Sequence, residues 1–221
     1  MARLKVETLY EHRFGNNKIE GRKALWQVLC HDFFQNYVPK DSAVLDVGAG
    51  YCEFINNIDC SKKYAVDLNK DTVRYAAPDV TVFTCSSADM SPISDGSIDV
   101  VFMSNFLEHL ESRQQIIQTL EEVRRVLKPA GSILILMPNI RYLYREYWDF
   151  LDHRIPLSDK SITEALLITE FSIKQSIAKF LPYTTKSKLP QSSFLVRLYL
   201  KIPLAWKIFG KQAFIIAQKS G

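Results

Sequence analysis

The chain has 221 residues, 47% hydrophobic and 24% charged, which is enough to bury one sizeable core without staples and excludes a disordered or disulfide-built protein. Its four cysteines, Cys30, Cys52, Cys60 and Cys85, form no CxxC pair and no metal-ligand spacing with histidine, so no metal is expected and the chain reads as reduced and cytoplasmic. The opening "MARLKVETLYEHRF" is too charged for a secretory signal, no apolar run approaches a membrane span, and the net charge of +4 hides a strong asymmetry.

Taken in order, residues 1–42 read as an N-terminal helical segment or lid, with Ile19, Leu25, Trp26, Leu29, Phe33 and Phe34 near helical spacing up to about Tyr37, before Pro39. Residues 43–221 read as a single domain. "AVLDV" is a strand, Tyr51 to Ile58 a helix, "KYAVDL" a strand, Asp71 to Ala76 a short helix, "VTVFTC" a third strand and "IDVVFMS" a fourth. Ser112 and Gln115 form a capping-box signal for a helix with Ile116, Leu120, Val123 and Leu127 on one face, stopped at Lys128-Pro129. "SILILM" is a fifth strand, apolar on both faces as a strand covered on each side must be. Strands alternating with helices predict an α/β, doubly wound, mostly parallel sheet with its ligand edge at the strands' carboxyl ends.

After Pro138 the rhythm changes, and residues 140–210 carry elaborations of the same sheet on its acceptor side. "NIRYLYREYWDFLDHRIPLS" is aromatic, with Tyr142, Tyr144, Tyr147 and Trp148 at helical spacing. Ser161 and Glu164 cap a helix through Leu167, "FSIKQSIAKF" alternates like a strand, "SSFLVRLYLKIPLAWKIF" is a basic apolar helical stretch broken by Pro203, and "QAFIIAQK" closes the sheet. Not one Asp or Glu follows Glu170, while nine Lys and Arg do, so the first 170 residues hold 24 acids against 19 bases. A tail at +9 beside a body at −5 either solvates one face or attracts an anionic partner.

The chemistry gathers at "VLDVGAGYCEF", an apolar strand entering a glycine turn. Gly48 and Gly50 let the backbone turn sharply and approach a ligand. A dinucleotide cofactor would set a pyrophosphate there, an awkward neighbour for the Asp46 carboxylate. S-adenosyl-L-methionine, with a sulfonium and an ammonium and no phosphate, suits Asp46 better. Asp67, at the end of the second strand, can take both ribose hydroxyls, although a dinucleotide site places an acid there too. Asp89, past the third strand in "SSADM", can accept from an adenine amine, and Leu68 and Met90 are placed to sandwich the ring.

"VLDVGAGYCEF", "VDLNKDTVRYA", "SSADMSPISDGSIDVVFMSNFLEHL" and "LEEVRRVLKPAGSILILMPN" resemble, in order and over roughly Ala43 to Asn139, the consecutive motifs of class I S-adenosylmethionine-dependent methyltransferases, of the small-molecule, type 11-like branch. The resemblance implies a seven-stranded Rossmann-like sheet with its last strand antiparallel. Carried over by position, it assigns Asp46, Gly48 and Gly50 to the methionine end, Asp67 to the ribose, Asp89 to the adenine, and Asn105 and Phe106 to the flank of the cofactor. Cys52 stands where the family usually has glycine, and "LKPAG" stands for "LKPGG", a change that is tolerable if only Gly131 needs positive φ.

Methyl transfer is an in-line displacement at an activated carbon, and alignment alone can supply roughly 7–11 kcal/mol. A base is required only for a hydroxyl or weakly acidic carbon acceptor. His109, beside the donor site, and His153, after the fifth strand with Asp152 to orient it, are the candidate catalytic residues; His12 and His31 read as structural. The expected acceptor is small or carrier-linked and anionic, such as a sugar, glycan precursor, lipid or specialised metabolite. The insert from Thr184 to Gly210 would contact it, with peripheral contact to the inner face of a membrane open to "FLVRLYLKIPLAWKIF". Nucleic-acid methylation through the basic tail, a nicotinamide oxidoreductase and a non-catalytic donor-binding subunit are the competing readings; the absence of an RNA-binding module and of an "NPPY"-type tetrad disfavours the first.

Overall fold

The computed structural model describes residues 19–183 and 192–220; the opening segment with His12, and the start of the insert at Thr184, lie outside the described residues. Helix α1 (Ile19–Asp32) leads through a 3-10 turn at Phe34–Tyr37 into β1 (Ala43–Val47), followed by β2 (Lys62–Val66), α2 (Thr72–Tyr75), β3 (Val80–Phe83) and β4 (Ile98–Ser104). Then come α3 (Arg113–Val126), β5 (Leu127–Pro138), α4 (Ile140–Leu143), α5 (Asp159–Ile168), β6 (Phe171–Ile177), α6 (Ser193–Leu200), α7 (Pro203–Phe209) and β7 (Gln212–Lys219). The seven strands form one sheet in the order β3-β2-β1-β4-β5-β7-β6, parallel except for β7, which runs antiparallel to both neighbours. This is the doubly wound, Rossmann-like sheet that the strand and helix rhythm predicts.

Strand periodicity divides the core in two. Leu45 and Val47 of β1, Val101 and Met103 of β4, Ile133 and Ile135 of β5 and Ile215 of β7 face one layer, which α3 and α5 cover. Their neighbours Val44, Val100, Phe102, Leu134, Leu136, Phe214 and Ile216 face the other, where α1 supplies Val28, Leu29 and Cys30. That second layer is aromatic: Phe54 stacks on Phe102 at 3.7 Å between centroids, and Phe33 on Phe180 at 4.3 Å. Strand order reverses between β1 and β4, whose carboxyl ends part and open the crevice in which α/β sheets hold ligands.

Three local expectations need correction. Tyr51 to Ile58 is a run of turns with isolated bonds such as Asn56 N–H to the Cys52 carbonyl (3.0 Å), because the backbone is still left-handed at Cys52 and a helix cannot propagate through it. Helix α5 starts three residues earlier than Ser161: Ser158 is its cap, and Ser161 closes the capping box. At "LKPAG" it is Ala130, not Gly131, that takes positive φ (59°). The α3 start stands, with the Ser112 hydroxyl accepting from Gln115 N–H at 3.1 Å, while the Gln115 side chain accepts from Glu111 N–H. Pro203 separates α6 from α7 by taking the first helical position of α7, where no N–H is needed.

Candidate functional site

The turn after β1 is built by backbone sign. Gly48, Gly50 and Cys52 all have positive φ (73°, 52° and 56°). Gly48 N–H donates to the Val66 carbonyl at 2.9 Å, which pins the turn to the end of β2. Gly48 is required twice over: an added Cβ would lie 2.2 Å from the Phe106 ring, so the space a side chain would fill is where β4's following loop closes on the turn. At Cys52 the alternating positive φ persists without glycine. Its thiol is buried, held near the Thr72 carbonyl, and pushed up to about 12 chiefly by burial, so it stays protonated.

Three acids cluster under and beside this turn. Asp46 is buried, and desolvation pushes its carboxyl up to about 8, opposed by the Ile55 N–H and reinforced by the Asp67 and Glu53 carboxylates. Asp67 at the tip of β2 accepts from Gly50 N–H (2.7 Å) and Asn69 N–H (2.8 Å), and burial raises its pKa against those bonds. Glu53, which the sequence reading passed over, is raised by burial too and is neutralised by Arg22 reaching down from α1; Arg22 also lies over the Tyr51 ring, 5.2 Å from its centroid. Asp89 is exposed on the rim after β3, its carboxylate accepting from Ser91 N–H. Asn105 is exposed with φ 47°, its N–H on the Leu136 carbonyl, and Phe106 packs against Gly48.

This arrangement fits an adenosyl sulfonium donor. A buried carboxyl held near neutrality gains from an adjacent cation, Asp67 offers a carboxylate beside the turn for a diol, and the side that Gly50 leaves without a Cβ is open space for close approach. The adenine sandwich is the exception: Leu68 is 65% exposed, but Met90 is fully buried in the core with its N–H donating to Glu122, so the ring would have Leu68 and Asp89 on an open rim.

On the acceptor side, β4 continues into a 3-10 turn, Leu107–His109, whose Glu108 carbonyl receives the N–H groups of Arg154 (2.9 Å) and Ile155 (3.2 Å). These bonds fold the "DHRIPLS" loop back onto the turn and bring His153 beside His109, with ring centroids 5.1 Å apart. His109 Nδ1 lies 3.0 Å from the Asp152 carbonyl and 3.4 Å from its carboxylate, so Asp152 orients His109. His153 is buried, with the Tyr147 ring at 4.6 Å and the Phe150 ring at 5.1 Å. Neither histidine is therefore an open, isolated base. Glu108, also absent from the sequence reading, is 1% exposed, raised by burial, and completes a group whose ligand-type atoms all lie within 4.8 Å of one another. The aromatic stripe divides: Tyr147 is core, while Tyr144 and Trp148 are exposed.

Comparison with known proteins agrees with this geometry. Residues 45–135 match the family model described as a methyltransferase domain. The chain is 29% identical over 124 residues to the uncharacterised protein MJ0638 of Methanocaldococcus jannaschii (55% of this chain, 52% of that protein). It is 31% identical over 86 residues to the ubiquinone/menaquinone biosynthesis C-methyltransferase UbiE of Blochmanniella pennsylvanica (38% of this chain, 33% of that protein). The match thus spans about half or less of these curated relatives. Among solved structures, a SAM-dependent methyltransferase from Archaeoglobus fulgidus shares the fold with a TM-score of 0.64 at 19% identity, over 97% of this chain and 100% of that one.

Proposed function

Because the chain carries a class I S-adenosylmethionine-dependent methyltransferase domain, we propose that it moves the donor's methyl group onto a small or carrier-linked, anionic acceptor. The observation that carries this reading is the turn itself: positive φ at three alternate residues, with Asp46 beneath it and Asp67 beside it. In it, Asp46, Gly48 and Gly50 hold the methionine end, Asp67 the ribose hydroxyls, Asp89 and Leu68 the adenine rim, and Asn105 and Phe106 the flank facing the acceptor. The donor supplies a carbon activated by sulfonium; the chain supplies alignment and exclusion of water. His109 and His153 act at the acceptor's reacting atom as one unit with Glu108, not as separate bases.

The acceptor side favours an amphipathic or lipid-linked anion. Phe194, Leu198, Leu204 and Ile208 on α6 and α7 are exposed large apolar side chains, interleaved with Arg197, Lys201 and Lys207. A face of this kind suits the headgroup region of a membrane, where apolar groups sink while cations meet acidic lipids. Among the described residues no helix is long and apolar enough to cross a bilayer, so the contact proposed is peripheral.

Calorimetric titration with S-adenosylmethionine and S-adenosylhomocysteine tests the donor site: the wild type binds both and Asp67→Ala binds neither at comparable concentration. A wild type that ignores both but binds a nicotinamide dinucleotide would sink the reading. Co-sedimentation with vesicles containing anionic phospholipid tests the surface, with Phe194→Glu/Leu204→Glu expected to abolish it and neutral vesicles to give none.

A further inference from the structure

We propose that Glu108, His109 and His153 form a binding site for one divalent transition-metal ion on the acceptor side of the donor crevice. Their donor atoms lie within 4.8 Å of one another, and Glu108 Oε1 is 3.8 Å from His109 Nε2. Metal–ligand bonds of about 2.0–2.2 Å place two ligands of one ion roughly 3–3.5 Å apart, so closure around an ion needs side-chain movement of about an ångström.

Two independent features point to a cation. The first is Glu108, at 1% exposure, with neither carboxylate oxygen hydrogen-bonded among the described residues. A carboxylate removed from water without such partners is costly and calls for a proton or a positive charge beside it. The second is the orientation of His109. Its Nδ1 donates to the Asp152 carbonyl at 3.0 Å, which puts a hydrogen on that nitrogen and turns Nε2 toward Glu108. A ring nitrogen tied to a carbonyl while the other ligates is the arrangement by which proteins orient metal-bound histidine.

The surroundings suit a held ion. The Arg154 and Ile155 N–H bonds to the Glu108 carbonyl fix the loop bearing His153, and the Tyr147 and Phe150 rings wall it on the protein side. Two imidazoles and one carboxylate favour zinc-class ions over magnesium or calcium, and three protein ligands leave a position for an acceptor oxygen. An acceptor hydroxyl bound there gives up its proton more readily and is fixed for in-line attack. Ion binding needs no donor, so this inference and the transfer reading fail separately.

The test is metal content and affinity of the purified chain after chelator treatment, by calorimetry with Zn2+ alone and by the visible absorption of added Co2+. One ion per chain is expected, with about 100-fold weaker binding in Glu108→Gln and in His153→Ala, and unchanged affinity of all three proteins for S-adenosylhomocysteine. Failure of the wild type to bind either ion saturably overturns the proposal in favour of a Glu108–His109 ion pair, as does binding that both variants retain. If Glu108→Gln loses its far-ultraviolet circular dichroism, His153→Ala, which leaves the turn intact, decides by the same criterion.

Discussion

The two halves of the crevice are held by different kinds of force. On the donor side, the main groups are placed by backbone: Gly48 on the Val66 carbonyl, Asp67 on two amides, Asn105 on Leu136. All but the local Asn69 bond bridge neighbouring strand tips. The acceptor side combines two backbone bonds to the Glu108 carbonyl with side-chain contacts brought from afar, such as His109 on the Asp152 carbonyl and Arg141 and Asn139 on the buried Asp159. A site built from backbone tolerates little change in φ but much change in neighbouring side chains; a site built from side chains has the opposite sensitivities. Within one fold, this lets the donor be kept while the acceptor changes.

The strongest way to break the comparison is Gly48→Ala. A methyl at positive φ and 2.2 Å from Phe106 should cost about 3 kcal/mol and abolish donor binding, read by thermal unfolding and calorimetry. Next, Asp67→Ala should weaken donor binding about 100-fold and Asp89→Ala about tenfold, because two charge-assisted hydrogen bonds are lost in the first and one at an exposed rim in the second. The reverse order would exchange the ribose and adenine assignments.

A pH series sharpens the picture of Asp46. With its carboxyl pushed up to about 8, chiefly by burial, it is protonated at pH 7 in the free chain, whereas a cationic donor favours the ionised form. Binding then expels a proton, so affinity climbs by up to about tenfold per unit between pH 6 and pH 8 and levels above. Asp46→Asn should flatten that slope; an unchanged slope would remove Asp46 from the donor site. The smallest effect is the control for backbone sign: Ala130→Gly, exposed and at φ 59°, should stabilise by about 1 kcal/mol and leave donor affinity untouched.

Much of the fold was legible because strands buried on both faces are apolar at every position, as in "SILILM", and because Ser112 and Pro203 mark helix starts by simple chemistry. The positions on the sheet of the acids assigned to the donor were legible for a related reason, since each lies near or just past a strand end. What residue type does not encode is backbone sign at a non-glycine: Cys52 and Ala130 are left-handed, and both local expectations there failed. Glu108 stayed hidden because "NFLEHL" reads as an exposed acid until the 139–158 loop folds over it. Met90 was misplaced for the converse reason, being one residue beyond the point where the chain dives into the core.

Strand β7 lies inside the sheet between β5 and β6, although it is the last of the seven in sequence. Until it is synthesised, β6 has no neighbour to pair with, and both core layers lack the wall formed by Phe214, Ile215 and Ile216. Productive folding of the sheet must therefore wait until β7, residues Gln212–Lys219, has left the ribosome. Until then the edge of β5 that β7 covers is open to mispairing, an exposure that a sheet closed by its early strands would avoid.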